Sequence, residues 1–120
     1  MSDKLDVVGI GNAMVDAIIP SNQSEIEKHE INRDSMNLID ENLKNNLHES
    51  YSIREMAGGG SLGNSMFGIT SFGGNGSFIG KIKNDEVGIF LQKDMVREGL
   101  QFPLGFTSPD ISTGCCTIFV

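Results

Sequence analysis

The sequence has no cluster of Lys or Arg, no long apolar run and few cysteines. Its 120 residues carry 16 Asp and Glu against 9 Lys and Arg, which gives a formal net charge of -7. Because binding to a nucleic-acid backbone draws on concentrated positive charge, the composition argues against a nucleic-acid partner. The apolar stretches are far shorter than the roughly 20 residues that cross a bilayer, so we expect no transmembrane helix and no membrane partner.

The two cysteines and the amino terminus argue against a secreted protein with disulfide bonds. Cys115 and Cys116 are adjacent, which suits neither a disulfide framework nor a C-x-x-C metal or redox motif. We expect them to be reduced thiols buried in a strand. Residues 1–6 carry charges and no apolar segment, unlike a secretory signal. We therefore predict a cytoplasmic protein. His29 and His48 lack the paired spacing of metal ligands, so we also predict no metal site.

Glycine is the abundant residue type. Nine of the 15 glycines fall between Gly58 and Gly80. A flexible linker would combine Gly with Ser and lack apolar residues, yet Leu62, Met66 and Phe67 lie in the same segment. This segment is therefore predicted to be packed structure with close approaches of the backbone.

Apolar periodicity and turn residues predict an alternation of short strands and helices. The strand, helix, strand, helix order over residues 51–99 indicates a layered α/β fold with a partly parallel sheet. The last strand runs to the final residue, so we expect the native pattern to continue, the alternative being a small complete domain that ends on a strand. The predicted elements are strands at 5–10 and 15–19 joined at 11–13, a helix near 24–30 with Ser24 and Glu27 as its capping box, a short strand at 36–39, a helix capped by Asp40, an alternating segment at 51–57, a helix at 61–72, a strand at 77–82, a helix from the N-cap at 84–85 to Gly99, and a strand at 115–120.

Two nucleotide-binding motifs fail on inspection. Gly9 and Gly11 begin like a dinucleotide fingerprint, but its sixth position is Met14 and a strand-like segment follows where a helix is needed. The Gly80-Lys81 pair resembles the end of a Walker A loop, but the first glycine and the final Ser or Thr are absent. Neither motif predicts a nucleotide site.

The segment from Gly58 to Asn64 is more informative. Glycines that lead into a helix expose free N–H groups and let a ligand approach the backbone, while Ser61 adds a hydroxyl and Asn64 an amide. The alternative is a plain tight turn with a solvated Asn64. Asp16 is an acid within an apolar strand, four residues after Asn12; the alternative there is an acid on the exposed face of an edge strand.

Three motifs together resemble the N-terminal part of a ribokinase-like (PfkB family) carbohydrate kinase. They are N-x-x-x-D at Asn12 and Asp16, G-G-S-x-x-N from Gly59 to Asn64, and F-I-G-K-I-x-x-D-x-x-G at 78–88. The wide N-to-D spacing is similar to the adenosine kinase branch, as is Thr113-Gly114-x-Cys116 before the last strand.

The sequence departs from the family pattern at three positions. Leu62 and Met66 stand where small residues are usual, and Lys83 replaces a turn glycine. These departures concern the subfamily rather than the family.

The resemblance implies an αβα layered fold with a small β-sheet lid over the acceptor site. Residues 1–120 would be the N-terminal portion of a single kinase domain, with lid strands near 12–19 and 115–120 and the glycine-rich loop and helix at 58–73. Asp16 would accept hydrogen bonds from two sugar hydroxyls, and a second copy could pair through the lid as a homodimer. The predicted acceptor-binding residues are Asn12, Asp16, Gly59, Gly60, Ser61 and Asn64.

The resemblance also implies the reaction, which is transfer of the ATP γ-phosphoryl group to a hydroxymethyl group of a sugar or nucleoside. The family's catalytic base is the Asp of a G-A-G-D motif, which does not occur in this sequence. ATP and Mg²⁺ would bind in the C-terminal half that carries this motif. We therefore predict no catalytic residue among the 120 and no activity for the chain alone.

Two alternatives stay open from the sequence. The chain could belong to a non-catalytic α/β module that binds a polyol or nucleoside. The acceptor is also open: a nucleoside needs an apolar slot for its base, and an ordinary core is the other use for the apolar residues that could line one. These residues are Met14, Met36, Leu38 and Cys116.

Overall fold

The computed structural model describes residues 4–120, so residues 1–3 of the charged amino-terminal segment lie outside the described part. Strands and helices alternate over residues 51–99, as predicted. Their bounds are β1 (Val7–Ile10), β2 (Met14–Ile19), α1 (Gln23–Lys28), α2 (Glu41–Ser50), β3 (Glu55–Gly59), α3 (Ser61–Ser71), β4 (Gly76–Ile79), α4 (Glu86–Arg97) and β5 (Gly114–Phe119).

The chain divides into two compact units. The first consists of the chain up to Asp16 together with Ala57–Cys116, and the second of Ala17–Met56 together with Thr117–Val120. The boundaries fall within β2, β3 and β5. Every residue of the predicted acceptor site belongs to the first unit.

The first unit contains a parallel pair of strands. β1 and β4 pair in register from Val7 opposite Gly76 to Ile10 opposite Ile79, and α3 packs against both strands. A parallel pair is therefore present, as the strand and helix order predicted, but β4 pairs with β1 and not with β3, the strand that precedes α3. The carboxyl ends of both strands meet at one edge, which is where ligands bind in open α/β sheets.

Gly9 and Gly11 allow α3 to pack closely against β1 and the link that follows it. A Cβ at Gly9 would lie 2.9 Å from Met66 Sδ, and one at Gly11 would lie 2.6 Å from Leu62 Cδ2. The glycines that imitate a dinucleotide fingerprint thus serve helix packing, because the large side chains of α3 occupy the space that other residues would need.

The second sheet has the strand order β3-β2-β5. The predicted strands β1 and β2 are both present, but they do not form a two-stranded edge, because the link at residues 11–13 carries the chain from one sheet to the other. Gly114 lies against the Ala13 carbonyl oxygen at the start of β2, and the Val120 N–H donates to the Ile19 carbonyl at its end. β5 therefore runs parallel to β2.

The second unit corrects two local predictions. α1 is capped by Asn22 with Glu25 as its reciprocal partner, at 3.1 and 3.0 Å, rather than by Ser24 with Glu27, because the helix already begins at Gln23. Residues 36–39 form no strand, and their apolar side chains are exposed. Asp40 caps α2 as predicted, accepting from the Leu43 N–H at 2.8 Å.

Aromatic and histidine side chains cover the end of β5 within the second unit. His29 Nε2 and the Tyr51 hydroxyl lie 2.7 Å apart, and the Phe119 ring lies beside both side chains. His48 Nε2 is 2.8 Å from Thr117 Oγ1. Both histidines thus have hydrogen-bond partners in the fold of this unit.

Asp85 joins the start of α4 to the segment that leads into β5. One carboxylate oxygen accepts from the Gly88 N–H at 2.7 Å and from the Thr113 hydroxyl at 2.8 Å, and the other accepts from the Thr113 N–H at 3.0 Å. The predicted N-cap is confirmed, and Thr113, which is buried, gives it a long-range partner. This network explains why Asp and Gly stand three residues apart here.

Gly88→Ala is expected to destabilise the protein by about 3 kcal/mol through overpacking. A Cβ at Gly88 would overlap the Lys83 carbonyl oxygen and lie 2.7 Å from Thr113 Oγ1. Thermal unfolding followed by circular dichroism measures the loss. Gly68→Ala is the matched control, because a Cβ there meets nothing within 4 Å; an equal loss in both variants would contradict the packing explanation.

Candidate functional site

Asp16 lies half-buried in the middle of β2, and the backbone of Gly59 at the end of β3 approaches it closely. A Cβ at Gly59 would lie 2.5 to 2.8 Å from the carboxyl atoms of Asp16. The structure thus brings Asp16 and the glycine-rich segment together, and their joint role in binding an acceptor stays a prediction. Only glycine at position 59 leaves room for the carboxylate in this orientation.

Gly60 turns the chain from β3 into α3. Its φ of 79° is a left-handed conformation that glycine adopts without strain, and it is the N-cap residue with no side-chain hydrogen bond to the helix. The first N–H groups of α3 therefore have no intrahelical partner. A hypothetical Cβ at Gly60 would lie 3.2 Å from Met14 and 3.8 Å from the Asn12 carbonyl oxygen.

The structure brings the predicted residues to one place from two directions. Asn12 lies in the link before β2 and Asp16 in the middle of β2, whereas Ser61 and Asn64 follow Gly60 in the first turn of α3. Ser61, Asn64 and Asn12 are all exposed. The Asn64 N–H donates to the Gly60 carbonyl at 2.9 Å, which closes the first turn of α3.

A cavity of about 740 Å³ opens beside Asn12 and Met14. It lies at the carboxyl ends of β1 and β4, and its wall includes Gly80, Lys81 and Thr107. Apolar atoms form most of its wall, and Asn12 is the one predicted acceptor-binding residue among its lining residues.

Cys116 of β5 lies near enough to Asp16 to feel its charge. Burial raises the pKa of the Cys116 thiol, and the negative charge of Asp16 raises this pKa further. Both cysteines lie half-buried in β5 and form no disulfide within residues 4–120, so they are in a strand as predicted but less buried than predicted. The thiol therefore stays protonated and unreactive over a wider pH range than an ordinary cysteine.

The reactivity of Cys116 is a test of this proximity. In a Cys115→Ser background, Asp16→Asn is expected to lower the pKa of Cys116, because one of the two causes that raise it is removed. Iodoacetamide should then modify Cys116 faster below the thiol pKa, and the rate-versus-pH curve should move to lower pH. Asp110→Asn, at an exposed position, is the control; identical curves for Asp16→Asn and the parent would show that the two groups are apart.

Asp94 of α4 was not recognised from the sequence. It is buried, accepts a hydrogen bond from the Gly58 N–H at 3.2 Å, and pairs with Arg97. The available signal was its spacing: Asp94 lies three residues after Leu91, within the apolar face of the helix, where an acid needs a partner.

Two features are absent from residues 4–120, a metal-binding cluster of side chains and a membrane-spanning helix. In this part of the chain, no three or more His, Cys, Asp and Glu side chains are grouped so that they could hold a metal ion. Among the same residues, no helix is long and apolar enough to span a membrane.

Neither a protein-family model nor a curated protein matches the chain. Solved structures do match it. An adenosine kinase from Sinorhizobium meliloti is 33% identical with a TM-score of 0.79, over 98% of this chain and 36% of that one. A probable sugar kinase protein from Rhizobium etli CFN 42 is 30% identical with a TM-score of 0.75, over 97% of this chain and 35% of that one.

A more distant match extends the likeness in fold. Adenosine kinase from Schistosoma mansoni, solved in complex with adenosine, is 19% identical with a TM-score of 0.76, over 94% of this chain and 34% of that one. The chain thus has a partial ribokinase-like fold and spans about a third of the length of these structures. The resemblance to ribokinase-like carbohydrate kinases that the sequence predicted is confirmed.

Proposed function

We propose that this chain is the acceptor-binding part of an ATP-dependent kinase that phosphorylates a hydroxymethyl group of a sugar or nucleoside. The observation that carries the proposal is the Asp16 carboxylate against the Gly59 backbone, beside the uncapped start of α3. A carboxylate next to a side-chain-free backbone can receive a polyol that no bulkier loop would admit. The likeness to an adenosine kinase and a sugar kinase supports this chemistry.

Each residue has a distinct role in the proposal. Asp16 accepts hydrogen bonds from two vicinal hydroxyls of the sugar or nucleoside. These hydrogen bonds are stronger than neutral ones because the carboxylate is charged. Asn12 and Asn64 add amide donors and acceptors from either side. Gly59 and Gly60 let the sugar ring reach the backbone, and Ser61 contributes a hydroxyl at the first turn of α3.

The donor side of the reaction is part of the proposal alone. The described residues form no metal-holding group, and the sequence contains no G-A-G-D motif, so these residues do not fit an ATP and Mg²⁺ site. ATP would supply the phosphoryl group from a part of the protein that this sequence does not include. A cytoplasmic location completes the proposal.

We favour a nucleoside acceptor over a free sugar. Met14 lies beside Gly60, and Cys116 lies near Asp16, so each of the two parts of the proposed site in the first unit has an apolar side chain close to it. A base could pack on them while its ribose binds Asp16. Met36 and Leu38, which were also predicted to line such a slot, are exposed side chains of the second unit.

The test uses the full-length protein that contains this sequence. Calorimetry with adenosine, ribose and fructose measures acceptor binding, and phosphorylation of each by ATP measures kcat/KM. A preference for ribose or fructose above about tenfold, or about 1.4 kcal/mol, would exclude the nucleoside and keep the kinase. Binding without any phosphorylation would favour the non-catalytic polyol-binding module, and no binding at all would exclude both.

A further inference from the structure

Asp94 is a nearly buried carboxylate on α4, with 7% of its surface exposed. Its Oδ2 accepts from the Gly58 N–H at 3.2 Å, and its Oδ1 pairs with the Arg97 guanidinium. Burying a carboxylate is costly unless its oxygens are paired, and both oxygens are paired here. The cost of burial is thus offset by one bond within α4 and one bond to β3.

The bond to β3 is the more informative of the two. The Arg97 side chain is 68% exposed, and ion pairs in contact with solvent contribute little stability. Gly58, in contrast, is half-buried with two side chains close to it: a Cβ there would lie 2.7 Å from a ring carbon of Phe67 and 3.0 Å from Asp94 Oδ2. Phe67 and Asp94 therefore fix the position of this peptide from two helices.

The next residue along β3 is the one that approaches Asp16. The space between the Gly59 backbone and the Asp16 carboxylate is too small for a methyl group. A movement of β3 by a fraction of an ångström therefore changes what can bind beside the carboxylate. The contacts form a chain from Asp94 through Gly58 and Gly59 to Asp16, all within the first unit.

We propose that Asp94 is a positioning residue for the acceptor site, holding Gly58 so that the Gly59 backbone stays at the correct distance from Asp16. The proposal rests on the proposed function, in which Asp16 binds the acceptor hydroxyls. Asp94 itself does not touch the acceptor. It acts on affinity through the backbone of β3, and so on KM more than on kcat.

The experiment compares variants of the full-length protein. Asp94→Ala removes the bond to Gly58 and is expected to raise the Kd and KM for the acceptor about tenfold, the effect of losing one hydrogen bond to a charged group, with kcat unchanged. Asp94→Asn keeps an oxygen that can accept from Gly58 and should restore most of the affinity. Lys93→Ala, at the exposed neighbouring position, and Leu91→Ala, in the buried face of α4, are the controls.

The probes are adenosine, ribose and fructose, together with the backbone amide resonances of Gly58 and Gly59 in ¹H–¹⁵N spectra. In Asp94→Ala both resonances should shift, whereas Lys93→Ala should leave them unchanged. Leu91→Ala should lower Tm without changing Kd. An equal Kd increase in Leu91→Ala and Asp94→Ala would assign Asp94 a structural role only.

The spectra separate the two proposals. If the wild-type protein binds none of the three compounds, the proposed function fails, and the amide resonances still report on β3. An unchanged Gly59 resonance in Asp94→Ala would then overturn the positioning role, and a shifted one would support it. If Asp94→Ala does not fold, Asp94→Asn against Lys93→Ala decides by the same two measurements.

Discussion

Gly59→Ala is expected to weaken acceptor binding by the full-length protein about one hundredfold, or about 2.7 kcal/mol. The added methyl group would lie 2.5 Å from Asp16 Oδ2, so the carboxylate must turn away from the position in which it would receive hydroxyls. Because the Asp side chain is short, its carboxylate cannot move away from the methyl group and keep this orientation. Titration calorimetry with adenosine, ribose and fructose, at a temperature where circular dichroism shows a folded protein, measures the loss.

Gly68→Ala serves as the control for this variant as well. Gly68 lies in α3, and a Cβ there meets nothing within 4 Å; replacing a helical glycine by alanine stabilises a helix by up to about 1 kcal/mol. It should therefore bind the acceptor as the parent does. Wild-type affinity in Gly59→Ala would mean that the close approach to Asp16 has no part in binding.

The helices around the site could be predicted because their signals are local. Asp85 caps α4, and Gly99 follows its end at a φ of 87°, where the sequence placed both boundaries. α3 begins after Gly60 and ends near Gly73, again at a positive φ. Caps and glycines act within one turn of the chain, so the sequence around them contains the information.

The sheet partners could not be predicted in the same way, because pairing joins residues that are distant in sequence. β1 pairs with β4, although β2 follows it directly in the chain. No local feature of residues 5–19 states that the two strands separate into different sheets. The resemblance supplied that part of the architecture, through the lid that it implies.

The departures of α3 from the family pattern have a packing explanation that needs the structure. Leu62 and Met66 lie over three glycines of the parallel pair of strands and the link after β1, Gly9, Gly11 and Gly76. The large side chains of the helix occupy the volume that side chains at these three glycine positions would otherwise fill. The sequence shows the two halves of this exchange separately, and only the contact shows that they belong together.

The site also contains one residue that the sequence indicated and one that only the structure reveals. Asp16 attracted attention because an acid in an apolar strand is unusual, and the close approach of Gly59 gives that acid a defined neighbour. Asp94 is equally unusual on the apolar face of α4, but an acid near the end of a helix is commonly a solvated surface charge. Its burial and its bond to Gly58 distinguish Asp94 from such a surface charge. Neither the burial nor the bond can be predicted from the order of the residues.

Asp16→Asn should weaken acceptor binding by about 2 to 3 kcal/mol, since it replaces two hydrogen bonds to a charged group, worth roughly 1.5 to 3 kcal/mol each, with neutral ones worth about 1 kcal/mol each. Asn has nearly the same shape as Asp, so the space beside Gly59 stays filled and the fold stays intact. The loss is therefore one of charge and acceptor capacity, and calorimetry with adenosine, ribose and fructose measures it.

Asp16→Ala should be at least as weak as Asp16→Asn, because it also removes the remaining acceptor oxygen. Asp110→Asn makes the same chemical change at an exposed position and should bind as the parent does, which separates a local effect from a general change in net charge. If Asp16→Asn and Asp110→Asn bound the acceptor equally well, the carboxylate of Asp16 could not be the hydroxyl-binding group, and the acceptor site would have to be sought elsewhere in the protein.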